Sequence, residues 1–509
     1  MKKNLLLIIA VFVCAFSYGQ GEMDAYRYSN KDLSGTARGQ AMGGAFGALG
    51  GDVTGVAINP AGIGVYRSSE VLVNFSLTSP SSKFLNTNTQ FGIDNLSYVG
   101  CFPLTTENLL SLNFGFNYNR IKNFEQRYSA SRPKMGFSLT DYMEVLTNGV
   151  NHGLWDTDNL YSNGNVPWLS ILAWDGYLID PVSGTDDMYA TILEQGELVR
   201  PSLNVSERGK IEVYDFTIGA NHANTFFWGI TLALTDLSYL MRSSYDENFL
   251  GDLGGGFRLD NYLETKGSGI QMKLGAIYKP TDALRLGITY HSPTWYSMTD
   301  SYQGTLTPRG IFDDDGNLAG RTSTPKDVYT NYYLRSPGSW TFSLAGVLGT
   351  QAILSLDYEV RDYSAMNLRD ADGFDSQYEN RLISKHYKNT STVRAGFEFK
   401  FTPQFSGRLG YAWAQNPFQS GLRDTGEKVE TVGTIPHYSL SNCATYLTTG
   451  IGFRFTPQFY GDFALVMRTQ KDDLYYFPSK LGDDVLADSF EDSFTNKTIK
   501  ALVTLGYRF

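Results

Sequence analysis

Long apolar runs are the first thing missing. Beyond residue 20, no stretch approaches the roughly 18 continuous apolar residues that a transmembrane helix needs. A membrane crossing by this chain therefore has to be made by a closed β-barrel. Cysteine is nearly absent, three in 509 residues. Cys14 falls in an N-terminal leader, and Cys101 and Cys443, far apart, do not make a disulfide framework. Charge is sparse too: Asp, Glu, Lys and Arg make up 18% of the chain, against about 25% in soluble globular proteins. A formal charge of −10 with no basic stripe excludes a nucleic-acid binder. Five histidines, His152, His222, His291, His386 and His437, are scattered without metal-ligand spacing.

What is present is glycine (52), tyrosine (33) and phenylalanine (32) on a chain of modest hydropathy. Many aromatics and glycines with few charges suit a barrel that has one lipid face and one wet face. Residues 1–19 read as a signal peptide: "MKK", then the apolar "LLLIIAVFVCAF", then "SYG" before Gln20. The chain is thus expected to be exported.

Period-2 alternation recurs along the rest. In "TIKALVTLGYRF", Ile499, Ala501, Val503, Leu505, Tyr507 and Phe509 face one way, and Lys500, Thr504, Gly506 and Arg508 the other. "VRAGFEFKF" and "ALRLGITYH" alternate likewise, with arginines and lysines between large apolar residues over about ten positions, the span of a tilted strand across a bilayer. Strands are expected at 69–78, 92–102, 109–120, 211–221, 226–236, 268–279, 283–292, 338–348, 350–361, 391–401, 404–415, 445–455, 459–469 and 498–509. Their number is even, as a bacterial barrel requires for both ends to lie on one side. Short turns such as "KPTDA", "LGTQ" and the repeated "FTPQF" alternate with long polar segments at 121–210, 237–267, 293–337, 362–390, 416–444 and 470–497. The reading is an all-β, 14-stranded antiparallel transmembrane β-barrel in the outer membrane, its wall spanning 68–509 with long extracellular loops. In loop 121–210, Trp155, Trp168, Leu169, Ile171, Leu172 and Trp174 suit a self-packed cap on the rim or a landing site for a greasy ligand.

Residues 20–67 do not alternate. "GTARGQAMGGAFGALGGD" puts Met42, Phe46 and their neighbours on one helical face, Asp52 is placed to cap "VTGVAI", and Pro60 stops that helix. A segment so rich in glycine makes a poor independent domain and a good filling for a narrow lumen. It is read as a helical plug presenting Met42, Phe46 and Ile58, with Gly62 and Gly64 letting the chain swing into the wall.

Here the chain resembles the FadL/TodX outer-membrane transporters of long-chain fatty acids and other hydrophobic compounds. The likeness is carried by "GTARGQAMGGAFGALGGDVTGVAINPAG", whose Asn59-Pro60-Ala61-Gly62 matches the family's plug motif, and by "LRLGITYHSPT", "LSLDYEVRDYSAM", "VRAGFEFKFTPQFSGRLGYAWAQNPF" and the terminal "GYRF". The resemblance implies passive uptake of a fatty-acid-like or aromatic molecule: capture among external loops, passage past a hatch, and sideways exit at a kink in the third strand. Gly115 is the candidate for that kink. It also keeps open a second reading, a barrel that binds proteins as a secretion-system shuttle. The expected partners are outer-membrane lipid, a hydrophobic small molecule and, through Phe509, the barrel-assembly machinery.

Other chemistry is set aside. "GGAFGALGGD" lacks the strand before it and the Lys-Ser/Thr after it that a phosphate loop needs. "DDDGN" (Asp313 to Asn317) and "DADGFD" (Asp370 to Asp375) lack the twelve-residue calcium-loop pattern and read as Asp-Gly turns. No enzyme activity, metal or cofactor is expected. By parity the lumen holds Gln271, Lys273, Arg285, Asp357, Glu359, Arg394, Glu398, Arg408, Arg454, Asp462, Arg468 and Arg508. It also holds an apolar minority, Leu72, Val99, Phe227, Ile277, Val347 and Ile353, read as a path for an amphipathic molecule.

Overall fold

A computed structural model describes residues 21–81, 89–155, 157, 159–162, 164, 166–194, 196–326, 328–420, 422, 429, 431–478, 480–481, 484–485 and 491–509. The expected leader, residues 1–19, lies outside the described residues. Fourteen antiparallel strands close on themselves. They are β1 (Glu70–Ser81), β2 (Gln90–Pro103), β3 (Leu109–Asn123, continued by Gln126–Ser131), β4 (Val199–His222), β5 (Phe226–Phe249), β6 (Gly256–Tyr278) and β7 (Leu284–His291, continued by Trp295–Arg309). The circle continues through β8 (Val328–Arg335 and Ser339–Leu348), β9 (Ala352–Asp362), β10 (Asn389–Lys400), β11 (Phe405–Ala414), β12 (Tyr438–Arg454), β13 (Phe459–Tyr475) and β14 (Glu491–Arg508). Pairing of β1 with β14, from Glu70 opposite Arg508 to Ser81 opposite Lys497, shuts the barrel. Each expected strand has its counterpart.

The alternation sorts side chains as read. Leu354, Leu356 and Tyr358 are exposed on the outside of β9, while Ser355, Asp357 and Glu359 are buried inside. Both "FTPQF" segments are turns. Phe401 N–H donates to Phe405 O and Phe455 N–H to Phe459 O, at 3.0 Å each, and in each turn the two rings stack (5.6 and 5.3 Å).

Strand length departs from the expectation. Segments 237–267 and 293–337 are largely strand, not loop: β4, β5 and β6 run 24, 24 and 23 residues, about twice what a bilayer crossing needs. Above the bilayer their outward faces turn polar and so resemble loop sequence, yet the ladders of β4 with β5 and of β5 with β6 continue unbroken to Val199–Phe249 and Asn248–Gly256. The inner face of this tall sheet, including Leu203, Tyr245, Phe257 and Leu263, is buried in one cluster with the loop between β3 and β4.

That loop folds as a cap. Its helices α4 (Leu139–Thr147) and α5 (Trp168–Asp175) coincide with the expected helical pieces. Ser138 and Asp141 form a capping box, and the Glu247 carboxylate from β5 accepts from Ser138, Tyr245 and Leu139 N–H. Trp168, Leu169, Ile171 and Leu172 are buried, and Trp155 stacks on Trp174 at 4.9 Å. Of the two alternatives, this geometry is the self-packed cap.

Inside the wall sit α1 (Glu22–Ser29), α2 (Ala37–Ala41), α3 (Val53–Ile58) and a 3₁₀ turn at Pro60–Val65. Among the described residues a further helix, α6 (Gln377–His386), lies between β9 and β10. Thr36 caps α2 by accepting from Gly39 N–H at 3.0 Å, and Asp52 caps α3 by accepting from Thr54 N–H at 2.9 Å. Gly62 and Gly64 both lie within the 3₁₀ turn that leads to the first strand, and neither has positive φ. What Gly64 permits is close approach: a Cβ there would lie 2.5 Å from Ala220 O in β4.

Candidate ligand chamber

The plug is held by the polar residues that alternation had placed in the lumen. Glu398 of β10 accepts from Arg38 Nε at 2.8 Å and from Arg408 Nε at 2.6 Å, and Arg408 also reaches Asp462 at 2.6 Å. Asp357 accepts from Phe46 and Gly47 N–H at 3.0 Å, Arg285 donates to Leu49 O, and Thr504 accepts from Ala37 N–H at 2.8 Å.

Asn59 is the densest of these joints. Its side-chain oxygen accepts from Ala61 N–H at 3.1 Å, and its amide donates to Gly47 O at 2.7 Å and to Ala276 O of β6 at 3.2 Å. One residue thus caps the 3₁₀ turn, ties two plug segments and fastens both to the wall. Pro60 opens that turn, Ala61 packs with Phe227 and Ile277, and Gly62 O accepts from Gly51 N–H at 3.2 Å.

The wall meets the plug at glycines. A Cβ on Gly275 would strike the Asn59 side chain, one on Gly229 Pro60 O, one on Gly396 Met42 O, and one on Gly410 the backbone at Gly43. These glycines alternate with lipid-facing residues, so the signal was in the sequence: inward positions without a side chain mark where backbone must approach backbone. Gly115 belongs to this set. A Cβ there would lie 2.9 Å from Ile63 Cδ1, and the β2–β3 pairing runs through it from Asn95–Asn119 to Pro103–Ser111 without a shift. The β3–β4 register slips elsewhere, at Leu109/Ser111 and Arg120/Lys122.

Met42 and Phe46 do not face open space. Both are fully buried with Ala345, and with Ile58 and Ile353 packed alongside. Leu72 and Val99 likewise pack on Val53, Val56 and Ile63. These members of the apolar minority dock the plug; they do not pave a path.

Open space lies above α3, beside the chain between α1 and α2. A cavity of about 190 Å³ is lined by Leu33, Ala57 and Ile58 of the plug together with Lys31, Lys273, His291, Glu359, Arg361, Arg394 and Arg468. Lys273 pairs with Asp215 at 2.7 Å, Arg361 with Glu359 at 2.6 Å and Arg394 with the same Glu359. His291 Nε2 lies 2.8 Å from Ile58 O. Burial, with Arg361 and Lys273 nearby, pushes the Lys31 ammonium down to about 7. The Arg394 Nη1 and Arg468 Nε atoms are buried without a hydrogen-bond partner in the structure. Cations therefore exceed carboxylates around a cavity that also has an apolar wall.

A second cavity, about 120 Å³, shares Asp32, Leu33, Ile121, Tyr446 and Arg468 with the first and reaches the wall at Thr78, Gln90, Arg120 and Asn123. There the barrel is split. Residues of β2 before Asn95 pair with β1 and not with β3, while Lys122 and Asn123 of β3 pair with β4. A bulge between Asn74 and Phe75 leaves Asp94 without a partner opposite and turns it inward. Arg120 pairs with one oxygen of Asp94 and Lys500 with the other, at 2.5 Å. Asn123 Nδ2 donates to Gln90 Oε1 across the gap at 2.9 Å. The sequence reading missed this split, since nothing in an alternating strand says where its neighbour stops pairing.

The acidic loops are turns: Asp313 Oδ1 accepts from Asn317 N–H at 2.7 Å and Asp370 Oδ1 from Phe374 N–H at 2.9 Å. No metal-holding cluster occurs among the described residues. Cys101 and Cys443 are free.

Residues 258–476 match the family model of outer membrane protein transport proteins (OMPP1/FadL/TodX). Over those residues the chain is similar to the FadL/TodX family. Among solved structures, it is similar to a Pseudomonas aeruginosa FadL homologue at 13% identity, covering 94% of this chain and 99% of that one, with a TM-score of 0.55. It also aligns with the Pseudomonas putida toluene transporter TodX at 14% identity, over 94% and 99% of the two chains, with a TM-score of 0.48. No curated protein matches. The barrel resides in the outer membrane, and the family model that it matches describes transport proteins.

Proposed function

We propose that this barrel carries a hydrophobic or amphipathic small molecule passively across the outer membrane, without chemistry or cofactor. The observation that carries the reading is the cationic chamber set beside Leu33, Ala57 and Ile58. A tail gains about 25 cal/mol per Å² of apolar surface buried, and a carboxylate would find Lys31, Arg394 and Arg468 with donors to spare. External loops capture the molecule and the plug controls its passage. The β2–β3 split, continuous with the second cavity, offers a sideways exit, placed at Arg120 and Asp94 and not at Gly115. Asn59 to Gly62 act as the seal of this hatch through the hydrogen bonds of Asn59. The terminal Phe509, exposed at the lower rim, is the handle for the barrel-assembly machinery.

The test is uptake of labelled oleate and toluene by cells with and without the gene. Slower uptake of at least one is expected. Unchanged uptake of both, with a stoichiometric protein copurifying in their place, would overturn the transport reading in favour of a protein-binding scaffold. Asn59→Ala should raise ion leakage through purified barrels in planar bilayers without changing which probe is preferred. A sealed barrel with altered preference would instead make Asn59 a ligand contact.

A further inference from the structure

The tall sheet has an outer face that the transport reading does not use. Register places Arg127, Ser206, Arg242, Tyr262 and Gln303 side by side across β3 to β7. The next rung outward adds Ser129, Asn204, Ser244 and Asp260. These outward side chains line a groove of about 770 Å³, within the size range of small-molecule sites and five strands, or about 19 Å, across. Hydroxyl, amide and guanidinium groups fill it. Arg242 lies over the Tyr262 ring at 5.6 Å, and Arg258 holds Asp260 at 2.9 Å. Asp260 is the one carboxylate against three guanidiniums among the lining residues, so the groove is net positive.

Its position narrows the partner. On β5 the outward face is lipid-facing through Trp228, Ile230, Leu232 and Leu234, and Arg242 follows eight residues later on the same face. At about 3.4 Å per residue and a tilt near 40°, that is about 20 Å above Leu234, past a rung where Leu240 stands between Arg208 and Glu264. The groove thus lies on the same outward face as the lipid-facing band, at the height where the sugars of the outer leaflet stand.

We infer that this groove binds the anionic core saccharide of lipopolysaccharide, with Arg127, Arg242 and Arg258 meeting its phosphate or carboxylate groups through charge-assisted hydrogen bonds. The inference rests on the outer wall alone and is independent of what passes through the lumen. The experiment titrates full-length barrel in detergent with core-bearing lipopolysaccharide, with lipid A lacking the core, and with a neutral oligosaccharide. Wild type is compared with an Arg127→Ser/Arg242→Ser/Arg258→Ser variant whose folding is checked by its heat-modifiable gel mobility. The expected result is affinity for core-bearing lipopolysaccharide roughly tenfold weaker in the variant and falling with salt, with lipid A binding unchanged. Equal affinity of the folded variant, an equal loss toward lipid A, or capture of the neutral oligosaccharide as tight as that of lipopolysaccharide would each overturn it. If the variant fails to fold, the single Arg242→Gln change carries the same comparison.

Discussion

The two sides of this barrel are built differently. On the low side, β1 and β2 have 12 and 14 residues, and above Asn95 the wall is joined by side chains: Asp94 with Arg120 and Lys500, and Gln90 with Asn123. On the tall side, β4 to β6 keep continuous ladders for 23 or 24 residues, backed by the buried cap. Backbone ladders open only by breaking many hydrogen bonds together, whereas a side-chain seam opens when a few pairs are exchanged for water or ligand. A wall can therefore be rigid where it carries a cap and separable where it has none.

The largest expected effect comes from closing the seam. In a background of Cys101→Ser and Cys443→Ser, Gln90→Cys and Asn123→Cys joined by a short thiol cross-linker should cut uptake of the transported probe at least about tenfold. The same cross-linker between Asn204→Cys and Ser244→Cys, which face each other on the tall side, should leave uptake unchanged. Equal flux through both cross-linked proteins would remove the seam from the route. Next in size is the cap: Leu172→Ala, at a fully buried position of α5, should cost about 2–5 kcal/mol locally. Limited proteolysis should then cut 124–198 sooner while the heat-modifiable barrel survives.

Which of these regions could be read from sequence follows from what enforces each. The lipid-facing rungs are enforced residue by residue, so Leu354, Leu356 and Tyr358 announce their face by period alone. The plug was legible because Asp52 and Pro60 mark helix ends by local chemistry. The tall sheet was hidden because its outward residues, such as Arg242 and Asp260, are as polar as a loop. The seam was hidden because it depends on which residues of β2 and β3 fail to pair. Met42 and Phe46 were placed on a common face, but that face meets Ala345 and not the cavity, a matter of tertiary packing. The inward glycines were visible in the alternation, and their meaning appears only when Pro60 and Asn59 are seen against Gly229 and Gly275.

A smaller effect is expected from loosening the seam. Asp94→Asn keeps the shape and removes the charge that holds Arg120 and Lys500 together, leaving two cations facing each other. Ion conductance of the purified barrel should rise a few-fold and become more salt-sensitive, because screening governs repulsion between partly exposed charges. Unchanged conductance would mean that the Asn123–Gln90 contact alone keeps the split shut.

The smallest effect concerns the chamber behind the seam. Lys31 is charged below about 7 and neutral above it, held there by burial with Arg361 and Lys273 opposing and Glu359 and Asp215 favouring its charge. An anionic ligand needs the charged form, so carboxylate affinity should fall as pH rises through about 7, and ligand binding should itself raise the Lys31 value. The expected change is roughly two- to fivefold, since the chamber is also lined by guanidinium groups, which as a class do not titrate near neutrality. Lys31→Met should flatten the pH profile for oleate and leave that for toluene, which carries no charge, where it was. A profile that stays steep in Lys31→Met would remove Lys31 as the titrating group of the chamber.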